Sequence, residues 1–397
     1  MLWNRTLLSV LLSTSLWPLP SLASDCEPVV SQQSELRAKV AAKEYSEQIQ
    51  LARQAALGIY EHGLPRATGS SIPQQIGRPP GLSIAVAVNG KLVWAEGFGF
   101  ADLEQCVPVL PNTKFRIGSV SKPLTAVAAA LLYQEGKLIL DAPIQRYVPA
   151  FPDKGYVITT RQLLGHLGGI RHYNSKENTE NQQRYHSVTE ALARFKDDPL
   201  VAPPGIKFSY SSYGYNLISA AIESASGEDF LDFMHDRVFV PLGMLDTVAD
   251  ENEKIIKFRA RWYQINADGS YRNSPYSDLS YKWASGGFLS TAEDLVRFGS
   301  SLLAPGFLRE STLKEMFTPQ QTSDGKGTQY GLGWFIHTGV EHIYEHDGGS
   351  TGSSSWLILY PDQHVVIAWL MNNDDLRSND QTLREVAAPF LTDSGGS

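Results

Sequence analysis

The sequence predicts an α+β fold: a central antiparallel sheet flanked by helices, with a mostly helical region inserted between the two halves of the sheet. Strand character appears early, around Asn89-Gly90, and returns only between 330 and 371. The chain between those stretches carries helical periodicity and loops. A lone hairpin is marginal in water, so the early and late strands must pair with each other. At 397 residues and 42% hydrophobic content, the chain has ample material to bury such a core.

Leu36, Val40, Tyr45, Ile49, Ala52, Ala56 and Tyr60 recur near helical spacing and predict one long amphipathic helix ending at His62-Gly63. Pro, Gly and Ser make 64–81 a loop. Residues 82–88 and 92–96 flank Asn89-Gly90, the signature of a hairpin with a two-residue turn. An alanine-rich helix follows at 124–136, and further helices are expected near 160–166, 188–195, 213–225, 230–239 and 291–303. Aromatic and β-branched residues mark strands at 330–337, 343–346, 354–360 and 365–371, and 376–391 reads as a closing helix. The sheet region therefore covers about 35–136 and 305–392, and the helical region about 137–304.

The N-terminus predicts export. An apolar run at 7–16 follows Arg5, and Pro18 and Pro20 lead into Ser21-Leu22-Ala23, with small residues where a signal peptidase reads. Residues 1–23 are thus expected to be a cleaved signal, 24–34 a short N-terminal segment and 35–392 the catalytic unit. The alternative, an uncleaved anchor, has an apolar core too short for a bilayer. The mature protein is expected to be secreted or periplasmic, with no stable membrane insertion. Cys26 and Cys106 would then meet an oxidising compartment, where a bridge between them is expected and two unpaired thiols are the alternative. With 34 basic against 42 acidic residues, the net charge of -8 argues against a nucleic-acid partner. A small-molecule or peptide substrate is the expected partner, and the oligomeric state is left open.

Ser119-Val120-Ser121-Lys122 is the first candidate for chemistry. A Ser three residues before a Lys at a helix start puts both side chains on one face. The helix N-terminus adds positive potential and unsatisfied N–H groups at the serine. A lysine held neutral by burial or by a second cation can take the hydroxyl proton. Pro123 lacks an N–H and fits only in a first helical turn, which places the helix start near Ser119. The plainer reading is an N-cap serine followed by a surface lysine. His166 and His172, or His342 and His346, invite a metal reading, but they form no His-Glu-x-x-His run and lie in unlike elements. No metal and no other cofactor is expected, and His166 is read as a structural hydrogen bonder.

Two further stretches give Ser119 and Lys122 a context: Phe208-Ser209-Tyr210-Ser211-Ser212, and His346-Asp347-Gly348-Gly349 near the end. In this order and at these separations the sequence resembles the serine β-lactamase and penicillin-binding-protein superfamily, in its class C-like branch of serine hydrolases and peptidases. It is most similar to the animal mitochondrial β-lactamase-like serine proteases and their bacterial relatives, through 115–149, 159–173, 208–226 and 281–298. The resemblance implies a β-lactamase/transpeptidase-like fold with the active site between its sheet and helical regions. It implies Ser119 as a nucleophile forming an acyl-enzyme, Lys122 as its base, and Tyr210 as a partner in proton shuttling. It also implies an oxyanion hole from the backbone N–H groups of Ser119 and Gly349, with Gly348 permitting close approach.

Two positions depart from the family pattern. Ser212 stands where an Asn is usual and offers fewer fixed hydrogen bonds to an acyl amide. His346 replaces the lysine of Lys-Thr-Gly, and a neutral imidazole is a weaker anchor for a substrate carboxylate. Both disfavour efficient β-lactam hydrolysis while leaving acyl transfer intact. Ser212 and His346 are kept as substrate-side residues; His346 could also tune Lys122 and Tyr210 or simply close the strand. Asp347 takes the place of the Thr. The leading expectation is a secreted serine peptidase or amidase. An esterase or weak β-lactamase of the same mechanism comes next, then a non-catalytic scaffold or penicillin-binding protein on this fold.

Overall fold

The computed structural model describes residues 38–62, 78–174, 177, 181–266, 268–339, 341–374 and 380–391. Its main sheet contains β1 (Ala38–Ala41), β2 (Gly81–Val88), β3 (Lys91–Asp102), β4 (Phe335–Thr338), β5 (His342–Ser350), β6 (Ser353–Tyr360) and β7 (Val365–Met371). The strand order is β1-β3-β2-β7-β6-β5-β4, and the short strand Val107–Pro108 pairs with β3 off this path. The early hairpin and the late strands do join. β2 and β7 pair antiparallel, from Val88 opposite Val365 to Leu82 opposite Met371. Asn89 and Gly90 take φ of 50° and 75°, the left-handed pair that a type I′ turn requires.

The helices that position the site are α1 (Ser46–His62), α2 (Ser121–Gln134), α3 (Ser212–Ser226), α4 (Ala292–Ser301) and α5 (Asp380–Leu391). Alternation along the strands sorts the core into two layers. Val365, Ile367, Trp369 and Met371 join Leu82, Ile84 and Val86 beneath α1 and α5. Val366, Ala368 and Leu370 join Ala85 and Ala87 on the other face, against α2 and α4. The sheet is therefore covered on both sides, as the α+β expectation requires.

Several elements differ from the expectation. Residues 38–41 form a strand instead of the start of a helix, with Val40 opposite Ala95 of β3. The backbone edge of β3 outweighs the weak helical pattern there, and α1 begins only after the 3₁₀ turn Lys43–Tyr45. Residues 230–239 split into an α turn (Phe230–Phe233) and a π turn (Met234–Phe239). β4 starts at Phe335, not 330. Gly331 packs so closely that a Cβ would stand 2.3 Å from the Met316 carbonyl, and Gly333 takes φ 92°. β5 runs on to Ser350, four residues past its expected end. α4 falls inside the stretch read as the helical region, yet it packs directly on the sheet: a Cβ on Gly299 would meet Val366 at 2.6 Å. The short helix Glu310–Met316 was not anticipated.

The signal segment, Cys26 and most of the loop at 64–81 lie outside the described residues. Cys106 occupies the turn after β3, with φ 52°. No helix among the described residues is long and apolar enough to cross a membrane.

Candidate active site

The chain enters the site through the short strand Phe115–Arg116 and a 3₁₀ turn, Gly118–Val120, that leads into α2. Two close approaches press this turn onto β5. Gly118 takes φ 47°, and a Cβ there would stand 2.7 Å from the Gly349 nitrogen. A Cβ on Gly348 would reach the Ile117 carbonyl at 2.1 Å and the Ser119 nitrogen at 3.0 Å. Ser355 Oγ on β6 donates to the Ile117 carbonyl at 2.7 Å and ties the turn to the sheet. β4 pairs with β5 only from His342 to Glu345, so the edge of β5 beyond that point is left to the turn. Ser119 and the late glycine pair are thereby brought together.

Lys122, one turn along, is fully buried. Its Nζ lies 2.9 Å from Ser119 Oγ and donates to the Ser285 carbonyl at 2.9 Å. It also stands 4.7 Å from the Tyr210 ring centre and 5.6 Å from that of Tyr215. Burial, and next the charge of Lys282, hold its pKa well below the usual lysine range, against an opposing pull from Asp347. Lys282 is itself buried and brought down to about 7, by burial and then by Arg116 and Arg194. An amine in these surroundings is neutral at a pH where an exposed lysine is charged.

Tyr210 precedes the N-cap of α3, where the Ser211 hydroxyl accepts from the Gly214 N–H at 2.9 Å. Burial, and next Asp347, push the Tyr210 pKa well above the usual tyrosine value, so it stays a phenol. The Ser119 side chain is near enough to that phenol to pull its pKa down against them. His166 holds this segment on both sides. Its carbonyl accepts from the Ser209 N–H at 2.8 Å, and its Nδ1 accepts from the Ser211 N–H at 3.1 Å. Its ring lies 4.3 Å from that of Tyr210. Burial keeps the imidazole neutral, as an acceptor at Nδ1 requires. His172 Nδ1 accepts from the Ser212 N–H at 3.1 Å and continues the clamp. The sequence flagged both histidines, but nothing local in it tied them to the neighbours of Tyr210. His166→Ala is expected to lower kcat by about tenfold to a hundredfold, through misplacement of the phenol, while circular dichroism shows a folded protein.

His346 is fully buried and does not line the cleft. Its Nδ1 donates to the Asp347 carbonyl at 2.6 Å, which leaves Nε2 to accept from the Tyr330 hydroxyl at 3.0 Å. Burial, and then Lys122, push it down to about 3, so it is a neutral imidazole at physiological pH. Its ring centre lies 6.2 Å from that of Tyr210. Ser212 is likewise enclosed, beside Tyr173, and does not line the cleft. The cleft itself is about 950 Å³ and is lined by Ser119, Tyr210, Asp347, Gly349, Trp356 and Arg272, among others. Among the described residues, no group of three or more His, Cys, Asp or Glu side chains could hold a metal ion.

A neutral amine against a hydroxyl, a phenol beside that hydroxyl, and a bare strand edge can together move a proton off oxygen and stabilise charge on an attacked carbonyl. Comparisons with known proteins identify the family. The Beta-lactamase family model matches residues 72–390. The human mitochondrial serine beta-lactamase-like protein LACTB is 36% identical over 387 residues, spanning 74% of this chain and 70% of that protein. Penicillin-binding protein 4* of Bacillus subtilis (strain 168) is 26% identical, spanning 78% and 72% respectively. Among solved structures, the octameric penicillin-binding protein homologue from Pyrococcus abyssi superposes with a TM-score of 0.65 at 27% identity, covering 74% of this chain and 70% of that one.

Proposed function

The chain belongs to the Beta-lactamase family of serine hydrolases, and from that premise we propose that it is an exported peptidase or amidase working through an acyl-serine intermediate. The observation that carries this reading is the buried Lys122 Nζ, 2.9 Å from Ser119 Oγ. Neutral Lys122 takes the Ser119 proton as Oγ attacks the substrate carbonyl. The Ser119 and Gly349 N–H groups receive the developing oxyanion. The Tyr210 phenol, whose ring centre lies 4.7 Å from Lys122 Nζ, relays the proton to the departing amine, and the same pair then activates water for deacylation. His346 enters as a neutral support for the Tyr330 and Tyr210 rings, and Ser212 as part of the clamped helix start.

Export follows from the N-terminal pattern described above, and a bridge between Cys26 and Cys106 would form in that compartment. Preference for peptides and amides is supported by the phenol, since an amine leaving group needs protonation and an ester leaving group does not. Poor β-lactam turnover is supported by the absence of a cationic side chain at His346. A panel of aminoacyl anilides, D-Ala-terminated peptides, nitrophenyl esters and a chromogenic cephalosporin tests the reading by kcat/KM. Amide or peptide turnover is expected, with the cephalosporin the poorest substrate. A cephalosporin turned over best, with no amide hydrolysed, would overturn it.

The pH dependence follows from the charges around Lys122. The base works only when neutral, so activity is present above its pKa and lost as pH falls through it. His172, brought to about 4, and His346, at about 3, add no titration between pH 5 and 8. Tyr210 adds none below the ordinary tyrosine range. Lys282→Met removes a cation that opposes protonation of Lys122. The acid limb of kcat/KM is therefore expected to move to higher pH in that variant, as a pH–rate profile would read out.

A further inference from the structure

We propose that Arg116 is a positioning residue that fixes the oxyanion donor, the Gly349 N–H, relative to the Ser119 nucleophile. The inference rests on the serine-hydrolase reading above, because that reading gives the oxyanion its place.

Arg116 closes the short strand that leads into the nucleophile turn. Its backbone pairs with Leu289 of the strand Phe288–Ser290, and the Ile117 N–H after it donates to the Phe288 carbonyl at 3.1 Å. The main chain of Arg116 therefore belongs to the segment that aims Ser119. Its side chain reaches the other half of the site. The guanidinium is buried, and Nη1 donates to the Thr351 carbonyl at 2.9 Å. Thr351 and Gly352 form the two-residue turn between β5 and β6, closed by the pairing of Ser350 with Ser353. Gly349 lies two residues before that carbonyl, near the end of β5. One residue thus joins the nucleophile turn to the strand end that supplies the oxyanion donor.

The guanidinium is itself held in place. Nε donates to Asp250 Oδ2 at 2.7 Å, and Cζ lies 4.7 Å from the Trp262 ring centre. Asp250 follows the strand Val248–Ala249, which also pairs with Phe288–Ser290. Its carboxylate is fully buried and accepts from Arg259 Nη1 at 3.2 Å as well. With Nε committed to Asp250, the planar fork presents Nη1 to Thr351 in a preset direction, which the point charge of a lysine would not do. The close approaches of Gly118 and Gly348 limit how near the nucleophile turn and β5 can come. Such contacts resist compression but not separation. Ser355 tethers the two from β6, and Arg116 tethers them from the turn beyond Gly349.

The test reads the oxyanion directly. Nitrophenyl acetate is paired with nitrophenyl thionoacetate, in which sulfur replaces the carbonyl oxygen. Sulfur is larger and a poorer hydrogen-bond acceptor, so well-placed N–H donors favour the oxygen ester and displaced ones do not. The quantity measured is the oxygen-to-sulfur ratio of kcat/KM, relative to the same ratio for hydroxide. It is expected to be about a hundredfold in the wild type and to fall by about tenfold or more in Arg116→Gln. Taking the ratio within each variant cancels any loss of folded protein or of base strength. The double variant Arg116→Gln with Asp250→Asn removes both buried charges together and is expected to show the same fall. His166→Ala, which displaces the phenol, is expected to lose rate and keep the ratio. A wild-type ratio equal to that of hydroxide, a ratio unchanged in both Arg116 variants, or an equal fall in His166→Ala would overturn the inference. An oxygen ester hydrolysed no faster by the wild type than by Ser119→Ala would instead overturn the hydrolase reading itself.

Discussion

Ser119→Ala abolishes turnover of every amide and ester substrate, by about a millionfold in kcat, and leaves the fold and its melting temperature nearly unchanged. The loss is this large because, among the described residues, Ser119 Oγ is the hydroxyl in hydrogen-bond contact with Lys122 Nζ. Lys122→Met keeps the apolar packing of the stem and removes the amine. It is expected to cost about a thousandfold or more in kcat, within the range for a general base that also activates a nucleophile. Because the amine is fully buried, the Met variant should be at least as stable as the wild type in a denaturant melt. Substantial activity in Ser119→Ala would mean that the acylated residue is elsewhere, and in Lys122→Met that the base is.

Gly348→Ala is expected to have the next largest effect after these two, although it touches no reacting group. The new methyl would lie 2.1 Å from the Ile117 carbonyl and 3.0 Å from the Ser119 nitrogen. Both are backbone atoms, and the Ser355 Oγ that donates to the same Ile117 carbonyl would itself lie 2.4 Å from the methyl. The nucleophile turn must therefore move off β5, which separates Ser119 from Gly349 and opens the proposed oxyanion hole. Misplacement of this kind costs about a hundredfold in rate, together with about 1–3 kcal/mol of stability from overpacking. Gly349→Ala serves as the contrast, since nothing stands within 4 Å of a Cβ there. A pair of stopped-flow and melting measurements on the two variants separates the steric account from a general intolerance of the glycine pair.

What the sequence made legible was local. Asn89-Gly90 imposes its turn through its own backbone, and Ser119 and Lys122 share a helix face because three residues nearly complete a turn. The late strands were visible by composition, and β7 matches its expected bounds. Three features depended on partners distant in the chain. Residues 38–41 became a strand because β3 offered an edge, which no window around Val40 contains. The inward face of His346 follows from the phase of β5 where it meets Ile117–Ser119, and the strand continued to Ser350, beyond the run of aromatic and β-branched residues. The grip of His166 on Ser209 and Ser211 joins residues more than forty positions apart. Motif spacing identified the candidate reactive groups, and tertiary packing decided which of them face substrate.

The most direct measurement follows phosphonylation of Ser119 by a fluorophosphonate against pH, with the adduct mapped by mass spectrometry. A neutral, buried Lys122 predicts a single adduct on Ser119. The rate should already be on its plateau at a pH where an exposed lysine is still charged, falling only as acid protonates the amine, and it should be nearly absent in Lys122→Met. A rate that climbs steadily through pH 9 to 10, as an ordinary lysine near its unperturbed pKa would give, or equal labelling of Lys122→Met, would contradict it.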